Sequence, residues 1–218
     1  TTSDVDEVAD WLSKELDRCV RSQFGDQPPT AVRLQVEQLR YRLIAFAQWQ
    51  AKEATEGWHI RSDLVEQRYS ATLDIDGQPF TIVGVIDRID ERDGKLRIID
   101  YKTGDAAKSP DRVHRTGPKD DKQWVDLQLP LYRTLVQHDE RISVAGDISL
   151  GYVHLAKNPA DTKFDEAPWS VGELDDAFHK AVEVVRLIRA GIFWGIGDAP
   201  VFDDRLRELC MDECIIRP

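Results

Sequence analysis

Cysteine and long apolar runs are both scarce in this chain. The three cysteines, Cys19, Cys210 and Cys214, are odd in number and scattered over 218 residues, which excludes a disulfide framework and suits a reducing compartment. No apolar run approaches the ~18 residues of a membrane span. The opening stretch, TTSDVDEVADW, has neither the basic start nor the apolar core of a secretory leader. These features argue against secretion or membrane insertion, and the expectation is a cytoplasmic protein with no membrane partner. Basic residues are also short: 29 Lys and Arg face 40 Asp and Glu, for a net charge of -11. That balance argues against a general nucleic-acid coat or an anionic-membrane binder, while leaving room for a local basic groove. No G-x-x-x-x-G-K-[ST] phosphate loop occurs, so any motor activity lies elsewhere.

With 41% hydrophobic and 32% charged residues, the chain can bury a substantial core, and a single domain over 1–218 is expected. Val8, Trp11, Leu12, Leu16 and Val20 recur at helical spacing between Asp4 and Gln23, with Ser3 or Asp4 as N-cap. After the QPP break at 27–29, Val32, Val36, Leu39, Leu43, Phe46 and Trp49 mark a second helix running to about Glu56. The texture then changes to β-branched and aromatic segments at 64–75, 80–90 and 95–101, separated by Asp76-Gly77 and Asp93-Gly94. Such dipeptides favour two-residue hairpin turns, so a three-stranded antiparallel meander is expected. A polar loop at 104–122, a helix at 123–138 interrupted by Pro130, a strand at 147–155 and a helix at 171–190 complete the pattern.

Register gives the first hint of chemistry. If Asp93-Gly94 is a two-residue loop, Arg92 pairs with Lys95, and continuing the ladder sets Asp87 directly opposite Asp100. The turn at Asp76-Gly77 in the same way sets Glu66 opposite Asp87, making a row of three carboxylates. Opposed like charges about 5 Å apart destabilise a sheet unless a cation lies between them. Lys102 shares the face of Asp100, roughly 7 Å along the strand, and Tyr101 points the other way. Hard carboxylate oxygens suit Mg²⁺ or Mn²⁺, and a neighbouring lysine can orient water or stabilise phosphorane charge, which is phosphodiester hydrolysis. An ordinary cross-strand salt bridge among Asp87, Asp100 and Lys102 fits the same spacing.

GVIDRID at 84–90, IIDYKTG at 98–104 and QLPLY at 128–132 together resemble the nuclease domain of the RecB/AddB type, within the PD-(D/E)XK superfamily. The resemblance implies a restriction-endonuclease-like α/β fold, with a central mixed sheet flanked by helices. It also implies metal-dependent DNA hydrolysis, as exonuclease action in recombination or repair beside a helicase domain or subunit. On this resemblance Asp87 and Asp100 bind metal, the Tyr101 carbonyl and Glu66 are further ligands, and Lys102 is the catalytic lysine. Gln128 and Tyr132, at i and i+4 on one helical face, are the substrate contacts. The chain would then read as N-terminal helices (1–58), a catalytic sheet core (64–155) and a C-terminal helical segment (171–218), excised from a longer helicase–nuclease.

Two departures stand out. Many members carry a metal-binding histidine on a helix before the first aspartate, yet residues 1–58 contain none and His59 falls at the helix-to-strand transition. AddB-like nucleases often hold an iron–sulfur cluster, for which four ligands are usual, but only Cys19, Cys210 and Cys214 are present, so a cluster is not expected. The segment 108–122 is locally basic, with Lys108, Arg112, Arg115, Lys119 and Lys122, and suits either phosphate contact or solvation. The rival functions are a degenerate nuclease fold serving as a DNA-binding or scaffolding module, and a structural iron–sulfur domain.

Overall fold

Local chemistry marks where each element begins and ends. In the computed structural model, which describes residues 2–104, 107–119, 121–142 and 146–192, helix α1 spans Val5–Phe24. The Asp4 carboxylate caps it by accepting the backbone N–H groups of Asp6 and Glu7, and Gly25 stops it at φ 72°. Helix α2 (Thr30–Thr55) starts directly after Pro29. A short strand β1 (His59–Ile60) follows, so His59 belongs to an edge strand.

Both Asp-Gly dipeptides form the turns expected of them. Asp76 and Gly77 have φ of 58° and 77°, Asp93 and Gly94 have 51° and 77°, the left-handed pairs of a tight hairpin. The first joins β2 (Gln67–Ile75) to β3 (Gln78–Ile86), in register from Ile75↔Gln78 to Gln67↔Ile86. The second joins β4 (Arg88–Arg92) to β5 (Lys95–Lys102), in register from Arg92↔Lys95 to Arg88↔Ile99.

The continuous strand expected over 80–90 is broken. The chain bends at Asp87, between β3 and β4, and pairing stops one step short of Asp87 opposite Asp100. The reason is a side-chain substitution in the ladder: the Tyr101 N–H donates to Asp87 Oδ2 at 2.8 Å. The meander is thus two hairpins meeting at a kink, with only the second in the main sheet.

Between β5 and the next long strand lie α3 (Pro110–His114), a small hairpin of β6 (Arg115–Thr116) and β7 (Gln123–Trp124), and α4 (Gln128–Gln137). The stretch expected to be an open loop at 104–122 therefore carries structure of its own. Helix α4 starts five residues later than the apolar spacing suggested. Pro130 then falls in its first turn, where a missing N–H breaks no intrahelical bond. Strands β8 (Ile148–His154) and β9 (Phe164–Glu166) and helix α5 (Val171–Arg189) complete the described chain.

The main sheet has the order β1-β4-β5-β8-β9. Strand β8 runs parallel to β5 and every other pair is antiparallel, so the sheet is mixed and the parallel crossover carries α4. Alternation along β5 assigns its two faces. Leu96 and Ile98 join the core with Leu129, Tyr132, Leu135 and Val136 of α4, whereas Ile99 packs with Trp49 of α2 and Val153. Asp100 and Lys102 continue the face of Ile98, and Tyr101 that of Ile99. Helix α4 lies close on β3 at Gly84, where an added Cβ would sit 2.8 Å from Leu135 Cδ1 and 3.4 Å from Tyr132 Cε1.

By internal contacts the chain divides into residues 1–181, which hold all the strands and α1 to α4, and residues 182–218. Of the second unit, the described part is the helical run to Arg189 and the turn to Ile192. Cys210, Cys214 and the remainder of the expected C-terminal helical segment lie outside the described residues. Cys19 is a free, exposed thiol on α1.

Candidate active site

The kink at Asp87 and the end of β5 bring together the first group of polar side chains. Asp87 is half-buried and bound to the β5 backbone through Tyr101 N–H. Asp100 is 5% exposed. Its Oδ2 forms an ion pair with Lys102 Nζ at 2.7 Å and has no further hydrogen-bond partner among the described residues. Burial pushes the Asp100 carboxyl above the usual carboxylate range. The Asp87 charge adds to that shift, and Lys102 and His114 oppose it.

Glu66 takes a different position from the expected row. It precedes β2 in the left-handed region, φ 51°, and is exposed. The β2–β3 register runs without a bulge to Gln67↔Ile86, and Glu66 N–H then donates to the Asp87 carbonyl at 3.0 Å. Its backbone is therefore beside Asp87, and both residues line one cleft with Gln50 and Tyr101. Among the described residues, no group of three or more His, Cys, Asp or Glu side chains is gathered closely enough to hold a metal ion. The expected carboxylate triad is not assembled, because the turn at Glu66 ends the strand whose alternation would have aimed it at the other two.

Tyr101 turns to the opposite face, where its hydroxyl accepts from Arg88 at 3.0 Å. Arg88 also makes a two-pronged pair with the fully buried Asp90, at 2.6 and 2.8 Å, and lies over the Trp49 ring. The GVIDRID segment thus sends Asp87 toward the β5 carboxylate and uses Arg88 and Asp90 as a lock against α2. Their i, i+2 spacing was the signal for this shared face.

Gln128 and Tyr132 lie on one helical face, as their spacing requires. Gln128 Nε2 donates to Tyr132 Oη at 2.8 Å; Tyr132 is 6% exposed and Gln128 is exposed. Burial raises the Tyr132 phenol's pKa, and the charges of Asp100, Asp87 and Asp126 raise it further, while the Gln128 bond opposes them. The tyrosine hydroxyl therefore stands in the field of the two aspartates.

The sequence reading missed a second polar chain. His114, completely buried, places Nε2 2.6 Å from Tyr152 Oη and Nδ1 2.9 Å from the Asp126 carbonyl. Asp126 Oδ1 in turn accepts the Gln128 backbone N–H at 2.8 Å. The ring of Tyr152 lies 4.6 Å beneath Lys102 Nζ. The available signal was the β5–β8 pairing, which sets Tyr152 beside Asp100, but a parallel partner cannot be read from a hairpin register.

A family model for the PD-(D/E)XK nuclease superfamily matches residues 1–214. The chain belongs to the PD-(D/E)XK nuclease superfamily. Its mixed five-stranded sheet flanked by helices is the restriction-endonuclease-like fold. Members of this superfamily are generally nucleases and typically use divalent metals such as Mg²⁺. No curated protein matches the chain. A solved structure titled "Crystal structure of SSO0001" is 14% identical, covering 79% of this chain and 71% of its own, with a TM-score of 0.31, too slight a likeness to carry a structural conclusion. No helix among the described residues is long and apolar enough to cross a membrane.

The residues present fit a divalent cation of the Mg²⁺ type. Asp100 supplies a buried carboxylate oxygen with no partner beyond the Lys102 ammonium among the described residues, and Asp87 supplies a second carboxylate whose charge Asp100 feels. Mg²⁺ uses one or two carboxylates and completes its octahedron with water and substrate phosphate, whereas a structural zinc ion needs four protein ligands.

Proposed function

We propose that this chain is a Mg²⁺- or Mn²⁺-dependent deoxyribonuclease of the RecB/AddB type, acting as an exonuclease in DNA recombination or repair with a helicase domain or subunit. The observation that carries the reading is the buried Asp100 carboxylate, ion-paired with the Lys102 ammonium at 2.7 Å and in the field of Asp87. In this reading Asp87 and Asp100 would hold the cation, with the Tyr101 carbonyl as a further oxygen donor. The cation supplies Lewis-acid polarisation of the phosphate and an acidified attacking water.

Lys102 has the chain's own part in the chemistry. Its ammonium would donate to a phosphate oxygen and stabilise the charge that builds there as the water oxygen bonds to phosphorus and the P–O ester bond breaks, the water's proton passing to solvent and the leaving oxygen taking one from it. Gln128 and Tyr132 present a neutral amide and a phenol, which hydrogen-bond a strand without repelling it. The acidic balance of the chain is consistent with a helicase delivering that strand.

The test is cleavage of labelled single- and double-stranded DNA with Mg²⁺, with Mn²⁺ and with EDTA. Cleavage is expected with either cation and none with EDTA. Lys102→Ala should lose roughly two to four orders of magnitude in rate while Mn²⁺ affinity, read by calorimetry, survives. An intact fold that cleaves neither substrate with either cation would overturn the reading in favour of a DNA-binding or scaffolding module.

A further inference from the structure

A lysine side chain has four rotatable bonds, and one ion pair seldom fixes its head group. Lys102 is about one-third exposed and its ion pair is with Asp100, the group assigned above to the cation. A second hold is therefore needed to keep the ammonium in place. Strand β8 provides one that does not compete for the carboxylate.

The parallel register sets Tyr152 beside Asp100, and the Tyr152 ring lies 4.6 Å from Lys102 Nζ, within cation–π range. The ring is itself held. His114 Nδ1 faces two acceptors, the Asp126 carbonyl at 2.9 Å and Asp126 Oδ1 at 3.1 Å, so that nitrogen donates to Asp126. The partner of the other ring nitrogen, Nε2, is the Tyr152 hydroxyl at 2.6 Å, and this bond fixes the tyrosine ring. The His114 ring cannot swing away, since the Trp169 ring stands edge-on to it at 5.2 Å and 87°.

We propose that Tyr152, oriented by His114, is the positioning residue for Lys102, and that His114 ties this lysine to the start of α4 through Asp126. The far end of the tie is the Gln128 backbone N–H, donated to Asp126 Oδ1 at 2.8 Å. One buried histidine thereby fixes both the reacting ammonium and the helix that bears Gln128 and Tyr132. The proposal rests on the nuclease reading for its catalytic consequence and on geometry for the contact.

The experiment is a thermodynamic cycle on the full chain with Mg²⁺. Tyr152→Leu, which removes the ring, should lower kcat about tenfold or more, with KM and Mn²⁺ affinity unchanged. Tyr152→Phe, which keeps the ring, should recover most of that loss. In the Lys102→Ala background, Tyr152→Leu should cause no further loss. Equal losses in both backgrounds, or no loss in the native background, would overturn the proposal. If Tyr152→Leu does not fold, Tyr152→Met replaces it in the cycle with the same expectations, whereas His114→Gln, which keeps the ring and loses only the bond to it, should match Tyr152→Phe. The contact has its own readout in the Lys102 ε-methylene NMR shift, which the ring should displace and which Tyr152→Leu should return toward that of a free lysine. An undisplaced shift in the native chain overturns the positioning role, whereas a native chain with the displaced shift and no cleavage overturns the nuclease reading and the catalytic consequence together.

Discussion

Asp100 carries its charge where charge is unfavourable, and that makes it useful. Burial, then repulsion from Asp87, holds its folded-state pKa above the ordinary value, with Lys102 offsetting only part of the shift. Stability from a raised carboxyl is fully present below the unfolded-state pKa and lost as pH rises through the folded one, so at neutral pH the ionised side chain opposes folding. Asp100→Asn should therefore raise the melting temperature of the metal-free protein by a few degrees. It should also abolish the further rise that Mn²⁺ produces in the native chain by binding the folded state. Melting curves with Mn²⁺ and with EDTA check both halves, and a lower metal-free midpoint would show the carboxylate to be a net stabiliser. The sequence was legible to this depth because hairpin arithmetic and strand parity are local rules. They assigned Asp100 and Lys102 to one face, and they equally account for Arg88 and Asp90 turning to the other. His114 and Tyr152 obey no local rule: they are 38 residues apart and meet through a crossover whose course depends on packing.

Elements were legible where turn or cap chemistry marked them. The two Asp-Gly turns fixed both hairpins, and Asp4 and Gly25 bounded α1 close to the positions that periodicity suggested. The apolar pattern overran the start of α4 because Trp124, though it joins the same core, does so from β7. The edge strands β1 and β9, two and three residues long, are too short to show alternation at all. The kink at Asp87 was hidden for another reason. A carboxylate that replaces a backbone group in a ladder leaves the apolar alternation on either side undisturbed. Gly84 tests how closely the second helical layer is set. A side chain there meets Leu135 Cδ1 at 2.8 Å and the Tyr132 ring at 3.4 Å, both buried residues of α4. Gly84→Val should destabilise the fold by about 1–3 kcal/mol, the usual range for overpacking. Leu135 Cδ1 must give way, and because the Tyr132 ring already touches the Cβ position, the added methyls should press on it, so DNA cleavage should fall more than Mn²⁺ binding does. Denaturant midpoints, with calorimetry on the same samples, measure both effects, and unchanged stability would mean that α4 is free to lift from the sheet.

At the scale of the whole molecule, the net charge of -11 sets how this protein can hold a polyanion. Binding duplex DNA draws much of its free energy from counterions released as Lys and Arg neutralise phosphates, with a slope in log affinity against log salt of about -0.9 per contact. The segment 108–122 has five cations, but two are already used. Lys122 pairs with Asp111, and Arg115 pairs with Asp111 and Glu173. Together they and Trp169 overcome the burial of Asp111 and hold its carboxyl at about 2, so this cluster stays ionised and closed at working pH. Lys108, Arg112 and Lys119 are exposed and make no ion pair among the described residues. With those three as the phosphate contacts of the isolated chain, the salt slope on duplex DNA should be shallow, about -2 to -3. Binding at physiological salt should be weaker than micromolar, which is the affinity expected of a nuclease whose strand is delivered by a helicase. Changing Lys108, Arg112 and Lys119 together to Gln should flatten the slope toward zero and leave the melting temperature unchanged. Fluorescence anisotropy of a labelled duplex across a salt series measures it. A steep slope with micromolar or tighter binding, surviving in the triple variant, would place the phosphate track on a different surface and remove the need for a delivering partner.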